Sequence, residues 1–288
     1  MLPLDEARLE ATSHLVASRD GVSFRIDDEC SCFVGYSTWD GRILFVHGYR
    51  PAVRRQLVQL AVALDCVRLV WQNHDDALDK EEPQEFLKGW LTLHWSTEAL
   101  QRYLGPEVPI NPQSSIPQAL QSSINQFPPH DTFTWRLAQS TDVPHLVRLV
   151  HGLAVYEKEP DAVHIEPEQY AVDGFAGASP LFYCLLVQDG DTVVAMAFLY
   201  IGYADIKKPY LYLEDLFVEE PHRGKGIGKH TMQILAHATL SLGMEYMAWQ
   251  ALDWNTPALT FYRSIGACVQ SGLHTHRYAG RERLQQLL

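Results

Sequence analysis

The fold of this chain is decided by Leu211-Tyr-Leu-Glu-Asp-Leu-Phe-Val218 and, four residues later, by Arg223-Gly-Lys-Gly-Ile-Gly228. The first segment is an apolar run typical of a buried strand, and the second leads directly into an amphipathic helical pattern. Glycines let backbone N–H groups turn inward and phosphate oxygens approach, while the amino end of a helix adds partial positive charge. The stretch therefore predicts a strand, loop and helix that bind a pyrophosphate group.

The spacing of this glycine-rich loop excludes two other nucleotide-binding motifs. No Gly-Lys-Ser or Gly-Lys-Thr ending follows at the spacing of a Walker loop. The unit before the loop reads as a hairpin, whereas a dinucleotide fingerprint belongs to a βαβ unit. A plain surface turn is the remaining alternative to a phosphate-binding loop. The sequence around the loop is needed to distinguish the two.

Strand and helix periodicities alternate around the loop. Asp189-Gly190-Asp191 separates two apolar runs and predicts an antiparallel hairpin. Helices are expected over 143–155, directly after the loop and over 257–264. Strands are expected over 133–138, 181–188, 192–203, 210–218 and 244–251, with a final strand pair over 267–278. The alternation is typical of a mixed α/β (α+β) domain.

The composition indicates a folded protein with a small-molecule partner. The chain has 288 residues, 47% of them hydrophobic, and a net charge of −12, which argues against a nucleic-acid partner. The acidic balance suits a cationic substrate or simple solubility. The first fifteen residues lack the pattern of a signal peptide, and no run approaches the roughly 18 apolar residues of a membrane span. Five cysteines follow no disulfide or zinc spacing, so we expect a reduced, cytoplasmic protein. Because no apolar run is long enough to span a bilayer, we expect no membrane partner.

The chain resembles the GNAT family of acyl-CoA-dependent N-acetyltransferases. The coenzyme A motif of that family, Arg/Gln-x-x-Gly-x-Gly/Ala, matches Arg223-x-x-Gly226-x-Gly228, and Asn255 and Phe261-Tyr262 follow downstream. Within the family the sequence is most similar to the diamine, spermidine/spermine and thialysine acetyltransferase branch. The residues that carry this similarity are Leu153-Ala-Val-Tyr-Glu-Lys158, Asp173-Gly-Phe175, Phe182-Tyr-Cys184, Tyr212-Leu-Glu-Asp215 and Leu252-Asp-Trp-Asn255. The resemblance covers residues 133–278 and implies a GNAT fold there.

The resemblance implies acetyl-CoA as the cosubstrate. Plant tyramine hydroxycinnamoyltransferases share much of the same pattern, so the acyl group stays more open than the coenzyme. No metal is expected, because His274 and His276 lack a third ligand. Asn255 is expected to bind the pantetheine arm, although an Asn before Thr256-Pro257 is equally a helix cap. The residues expected to bind the coenzyme are Leu216, Phe217, Val218, Arg223, Gly224, Lys225, Gly226, Ile227, Gly228, Lys229, Asn255 and Tyr262.

The chemistry requires a base and an acid. An amine with a pKa of about 10 must lose a proton before it attacks a thioester. Glu214 and Asp215 are neighbours on a strand and should face opposite sides; the resemblance favours Glu214 as the base, and a structural carboxylate paired with an Arg is the alternative. The resemblance makes Tyr262 the general acid for the leaving thiolate, with simple packing as the alternative. In GNAT folds a strand irregularity, here near 216–218, leaves a backbone N–H to stabilise the thioester oxygen.

The acceptor is expected to be a small cationic amine. By resemblance Tyr156, Glu157, Glu214 and Asp215 bind it. Relatives that act on long polyamines also carry a Glu and a Trp near the carboxyl end, where this sequence has Leu273-His-Thr-His-Arg277. This departure favours a shorter amine or an amino-acid-like acceptor. A silent acyl-CoA-binding regulator, an aryl-amine or protein-amine acceptor and a homodimer stay open as alternatives.

The proline-rich residues 105–131 divide the chain into an amino-terminal domain over 1–104 and the GNAT-like domain over 132–288. Residues 42–72 predict strand, helix, strand, in the order found from Phe217 to Gln250. Alignment on the shared Trp-Gln pairs Leu57 with Leu235 and Leu64 with Leu242. The interval from Phe to Trp is 26 residues in the first copy and 32 in the second, a difference of six, the length of the glycine-rich loop. We interpret the first copy as a degenerate half-GNAT repeat in which Phe86-Leu87 stands where Phe261-Tyr262 stands, with chance similarity as the alternative.

Overall fold

A computed structural model describes residues 6–16, 18–20, 22–73, 85–105, 108–127, 132–177, 179–204, 208–279 and 281–287. These residues form two seven-stranded sheets with helices packed on them. The predicted mixed α/β class is confirmed. None of the described helices has the length and apolar character of a membrane span.

The first sheet is built mainly from the amino-terminal half, here residues up to 104. Its strands, in spatial order, are β1 (Ser18–Asp20), β2 (Ser23–Arg25), β3 (Ser31–Ser37), β4 (Gly41–His47), β5 (Arg68–Asn73), β14 (His274–Ala279) and β6 (Glu85–Phe86). The second sheet is built mainly from the carboxyl-terminal half, residues 132 onward. Its strands, in spatial order, are β8 (Phe133–Leu137), β9 (Tyr183–Asp189), β10 (Thr192–Tyr203), β11 (Pro209–Val218), β12 (Tyr246–Leu252), β7 (Trp90–Ser96) and β13 (Cys268–Val269).

The helices follow the apolar periodicity of the sequence. Expected helices are found after the glycine-rich loop, where Ile234, Leu235 and Ala238 are fully buried, and over the stripe that contains Leu146 and Leu149. The nine α-helices in the described ranges are α1 (Glu6–Ala11), α2 (Arg54–Ala63), α3 (Thr97–Leu104), α4 (Ile116–Gln126), α5 (Val143–Tyr156), α6 (Pro167–Phe175), α7 (Ile227–Ser241), α8 (Thr256–Ser264) and α9 (Arg281–Gln286).

The two sheets exchange one strand each. β7 of the amino-terminal half lies between β12 and β13, and β14 of the carboxyl-terminal half lies between β5 and β6. The two strands expected over 267–278 are found as β13 and β14, but they do not pair with each other, because they lie in different sheets. The expected equivalence of Phe86-Leu87 with Phe261-Tyr262 is also wrong. Phe86 belongs to β6, which takes the place in the first sheet that β13 takes in the second, whereas Phe261 and Tyr262 belong to α8. A counterpart of α8 would fall on residues 74–84, outside the described residues.

The exchange also changes how the expected domain boundaries apply. The segment expected to be a linker, 105–131, contains α4, which begins at a capping box of Ser115 and Gln118 and buries Leu120. α4 packs against α7 and β8. The boundaries at 104 and 132 divide the sequence, but they do not divide the two sheets. Each sheet contains one strand from the other half of the chain.

Both sheets have the same strand order and directions. In each, three antiparallel pairings are followed by one parallel pairing, β4 with β5 or β11 with β12, and by two further antiparallel pairings. Four polar side chains meet where the exchanged strands lie. The Nε2 atoms of Gln72 and Gln250 each donate to the hydroxyls of both Thr92 and Thr275, at 2.8 to 3.4 Å. This equivalence supports the interpretation of an internal repeat, which extends beyond residues 42–72.

A shared hydrophobic core and one buried ion pair hold the halves together. Gly35 on β3 lies against Tyr200 on β10, where a Cβ would come within 3.0 Å of the ring. Arg42 Nη2 and Nε donate to Asp173 Oδ1 at 2.6 and 3.0 Å, and neither side chain is exposed. Removal of one partner from such a buried pair costs about 3–5 kcal/mol, so the pair strongly opposes separation of the halves.

Candidate active site

Strands β11 and β12 diverge beside the glycine-rich loop. They pair through only two residue pairs, Leu211 with Met247 and Tyr212 with Ala248. Beyond them β11 stays paired with β10 and β12 with β7. The gap is the centre of a cavity of about 1000 Å³ lined by residues 212–218 and 249–252. Backbone groups of β11 on this side have no neighbouring strand and can bind a ligand.

A β-bulge places two carboxyl groups on the same side of β11. Phe198 pairs with Asp215 and the next residue, Leu199, pairs with Leu213, so Glu214 is an extra residue without a partner on β10. The prediction that Glu214 and Asp215 face opposite sides is wrong, because the bulge breaks the alternation of side chains. Both carboxyl groups lie beside Thr38, whose hydroxyl donates to Asp215 and whose backbone N–H lowers the pKa of Glu214. The bulge lies two residues before the expected irregularity at 216–218.

The glycine-rich loop leaves the amino end of α7 open. Gly224 and Gly226 have φ values of +74° and +80°, a region that strains other residues. Gly226 is the N-cap residue of α7, and no side chain caps this end. A Cβ on Gly228 would fit without a clash, in ordinary van der Waals contact with Phe261 Cζ at 3.9 Å. First-turn N–H groups that lack a capping side chain form a fitting site for the phosphates of a coenzyme.

The two basic side chains of the loop differ in position. Arg223 Nε donates to the carbonyl of Val218 at 2.8 Å, and its guanidinium lies 4.6 Å from the ring centre of Tyr156. It therefore closes the loop onto the end of β11. Lys225 is exposed and does not line the cavity, in contrast to the other expected site residues.

Asn255 joins the two walls of the cleft. Its Oδ1 caps α8 by accepting from the N–H of Ala258 at 3.3 Å, and it also accepts from the hydroxyl of Tyr156 at 3.0 Å. The helix-cap alternative thus describes its Oδ1, while the Nδ2 amide is the group suited to a ligand carbonyl. Tyr156 was expected at the acceptor, and here it contacts Arg223 and Asn255, both expected coenzyme residues.

Tyr262 lies on α8 at the floor of the cavity. Its ring packs 4.9 Å from that of Trp249, and the residue is 8% exposed. Burial, with the nearby charges of Asp215 and Glu157, raises the pKa of its phenol. The hydroxyl therefore keeps its proton at neutral pH and can act as a donor.

Three carboxyl groups share the deep part of the site. Burial, aided by the charge of Asp215, raises the pKa of Glu157 to about 8. Burial raises the pKa of Asp215 to about 6, against a hydrogen bond from Thr38 that lowers it. Burial and the charge of Asp215 raise the pKa of Glu214 well above its usual value. The cluster cannot carry three negative charges at neutral pH, so a cationic amine bound beside it would relieve the repulsion.

The amino-terminal half supplies a wall of the cavity, consistent with its predicted role as a scaffold or substrate-site wall, through residues that sequence reasoning did not single out. The lining includes Thr38 and Trp39 from the turn after β3, Arg68 from β5, and Lys88 and Trp90 near β7; Arg277 on the exchanged strand β14 also lines it. None of these residues belongs to a local motif. The packing of the two halves, together with the strand exchange for Lys88, Trp90 and Arg277, brings them to the cavity, and neither leaves a signal in local periodicity.

The corresponding place in the first sheet is closed. β4 and β5 remain paired through four residue pairs, from Ile43 with Arg68 to Val46 with Trp71. The ring of Tyr49 stacks on Trp71 with centres 4.1 Å apart. The strands therefore do not diverge as β11 and β12 do. Among the residues the structure describes, no group of three or more His, Cys, Asp or Glu is placed to hold a metal ion.

Comparison with known proteins adds sequence similarity to this geometry. The profile of the acetyltransferase (GNAT) family matches residues 149–267. A thialysine N-epsilon-acetyltransferase of Bos taurus is 33% identical over 156 residues, which cover 50% of this chain and 91% of the relative. A spermidine/spermine N(1)-acetyltransferase-like protein 1 of Homo sapiens is 31% identical over 164 residues, 54% of this chain and 24% of that protein.

A solved structure from Novosphingobium aromaticivorans, assigned to the same family, covers 94% of this chain and 93% of its own at 14% identity, with a TM-score of 0.49. The family assignment rests on the sequence matches, which include most of the length of the bovine relative. The chain belongs to the GNAT family of acetyltransferases.

Proposed function

We propose that this protein transfers an acetyl group from acetyl-CoA to a primary amine of a small cationic acceptor by direct attack. The observation that carries the proposal is one continuous cavity. It joins the open amino end of α7 to the buried carboxyl groups of Glu157, Glu214 and Asp215. A phosphate-binding end and an amine-attracting end in one cleft suit a reaction between a coenzyme thioester and an amine.

The residues present fit the coenzyme. The first turn of α7 and the loop from Arg223 to Gly228 would hold its phosphates, and the free edge of 216–218 with Asn255 would hold its pantetheine arm. Bound acetyl-CoA supplies a thioester that accepts an amine. A backbone N–H on the free edge of β11 is suited to hydrogen-bond the thioester oxygen as negative charge develops there.

Proton transfer is assigned to side chains on both sides of the reacting centre. We assign Glu214, directly or through a water molecule, to take the proton of the bound ammonium. The adjacent Asp215 and Glu157 attract the cation and bind it. Tyr262, whose phenol stays protonated, is assigned to give a proton to the departing thiolate.

The charge of the lining favours an amino-acid-like acceptor over a polyamine. Arg68, Lys88 and Arg277 line the same cavity as the carboxyl cluster. An acceptor with a carboxylate and a distal amine has a partner for each sign of charge, whereas a polyamine would place a second cation among these basic groups. We therefore propose a lysine-like amino acid as the preferred acceptor class.

Lysine and cadaverine provide a matched test, because they differ only by the carboxylate. Coenzyme A release should be measured with acetyl-CoA and a panel of lysine, thialysine, ornithine, cadaverine, putrescine, spermidine and tyramine. We expect kcat/KM for lysine or its analogues to exceed that for cadaverine by about tenfold or more, the scale of one ionic contact. Equal values would contradict the acceptor class. Coenzyme binding without turnover of any amine would favour the silent acyl-CoA-binding regulator.

A further inference from the structure

Thr38 connects the amino-terminal half to both strand carboxyl groups. It lies in the turn between β3 and β4 and is 1% exposed. Its Oγ1 donates to Asp215 Oδ2 at 2.5 Å, and its backbone N–H lies close enough to the Glu214 carboxyl group to lower the pKa of that group. Its carbonyl accepts from the hydroxyl of Tyr170 on α6. The hydroxyl and the backbone N–H of Thr38 thus act on the carboxyl pair, while its carbonyl is held by α6.

The turn that carries Thr38 is itself fixed from the opposite side. The carbonyl of Trp39 accepts from the N–H groups of His164 and Ile165 at 2.7 and 3.0 Å. Those residues lie between α5 and α6 of the carboxyl-terminal half. The turn is therefore held between the halves, and Thr38 is constrained on both sides.

We propose that Thr38 is a positioning residue that orients the Glu214 and Asp215 carboxyl groups for proton transfer from the acceptor amine. The inference rests on the proposed function. Two adjacent carboxyl groups repel each other when both ionise. A residue that donates its hydroxyl proton to one of them, while its backbone N–H favours the charged form of the other, fixes their arrangement. The single Oγ1 proton favours the charged form of Asp215.

The groups that face this pair come from several elements. On β11 itself Tyr212 lies beside both carboxyl groups. The other titratable or charged groups coupled to Glu214 or Asp215 are Glu157 at the end of α5, Tyr170 on α6, Cys184 on β9, Tyr200 on β10, Tyr262 on α8 and Arg68 on β5. Burial raises the pKa of the listed tyrosines and of Cys184. At and below neutral pH the groups that change charge are therefore the carboxyls.

Two matched pairs of variants test the role of the hydroxyl. Thr38→Val keeps the shape and removes the donor, while Thr38→Ser keeps the donor and removes the methyl group. Thr38→Ala, compared with Thr38→Ser, repeats the test in a second background. The readout is the pH profile of kcat/KM with one acceptor and saturating acetyl-CoA, together with kcat, KM for acetyl-CoA and thermal melting.

We expect Thr38→Val and Thr38→Ala to move the acid limb upward by about one pH unit and to lower kcat near pH 6 by roughly tenfold, the scale of one hydrogen bond to a charged group. Thr38→Ser should keep the limb of the parent, and KM for acetyl-CoA should stay unchanged in all three. An unmoved limb in both Thr38→Val and Thr38→Ala, or a serine variant that behaves like alanine, overturns the inference. If the parent protein acetylates none of the panel amines, the proposed function fails, and the positioning role fails with it.

Discussion

Replacement of Glu157 by Gln should stabilise the protein at alkaline pH and weaken acceptor binding. Glu157 follows α5 and lines the cavity, where burial and the charge of Asp215 raise its pKa from 4.5 to about 8. A carboxyl group whose pKa is higher in the folded state contributes stability that is fully present below pH 4.5. That contribution declines as the pH rises through 8, because the unfolded chain releases the proton first.

The size of the effect follows from the same values. At about 1.4 kcal/mol for each pH unit, a pKa of about 8 against 4.5 corresponds to an upper limit of ~5 kcal/mol at pH 8 and above. Glu157 is partly exposed, so solvent screening reduces the expected gain to about 1–3 kcal/mol. Gln has nearly the same shape and carries no charge at any pH. The variant and the parent should therefore differ little near pH 5 and diverge as the pH increases.

Denaturant unfolding at several pH values between 5 and 9 measures the difference directly. Glu159→Gln is the matched control, because Glu159 is exposed and lies two residues further along the chain. We expect its unfolding free energy to follow the parent at each pH. If the unfolding free energies of Glu157→Gln and the parent differ by the same amount at every pH from 5 to 9, the argument for a buried, repelled carboxylate is refuted. In kinetics, KM for the acceptor should rise in this variant while KM for acetyl-CoA stays unchanged.

Three further predictions concern the coenzyme and the proton donor. Tyr262→Phe should lower kcat by about 10²-fold or more, the scale of general acid catalysis, with acetyl-CoA affinity preserved; an unchanged kcat with chemistry rate-limiting would assign Tyr262 to packing. Gly228→Leu should abolish acetyl-CoA binding in calorimetry and keep the melting temperature, because a Cβ there fills the phosphate approach and meets only Phe261, at an ordinary contact distance of 3.9 Å; unchanged affinity would contradict the phosphate site. Gly226 is a poorer test position, since its φ of +80° adds backbone strain to any substitution. A binding titration should give one coenzyme per chain, because β4 and β5 stay paired, and two would show that the first sheet also opens.

Local sequence patterns predict the part of the site that lies within consecutive elements. The strand ending at Val218, the loop, α7 and α8 follow from periodicity, glycine content and capping residues, and the structure has them close to the expected bounds. Asn255 also appears as the expected cap. These features depend on interactions between residues close in sequence, so a single chain is enough to reveal them.

The bulge, the divergence of β11 and β12 and the strand exchange depend on pairing between distant segments. In a regular strand the side chains of Glu214 and Asp215 would point to opposite faces, but the bulge breaks this alternation. The residue types around position 214 do not indicate a bulge. The pairing of Gln72 with Thr275 joins residues 203 positions apart. Thr38 is one threonine in a turn until β3 packs on β10, so its contact with Asp215 had no local signal.

The strand exchange explains why a half that lacks an open coenzyme cleft would still be required. β7 pairs with β12 from Trp90 to Ser96, so the sheet that carries the site is completed by the amino-terminal half. The same half supplies Thr38 to the carboxyl pair and Arg42 to the buried Asp173. Neither contribution depends on the β4–β5 pairing, which is the counterpart in the first sheet of the open gap between β11 and β12. The closed pairing of β4 and β5 therefore leaves the site on the second sheet intact, whereas removal of the amino-terminal half would take away the strand next to β12 and a wall of the cavity.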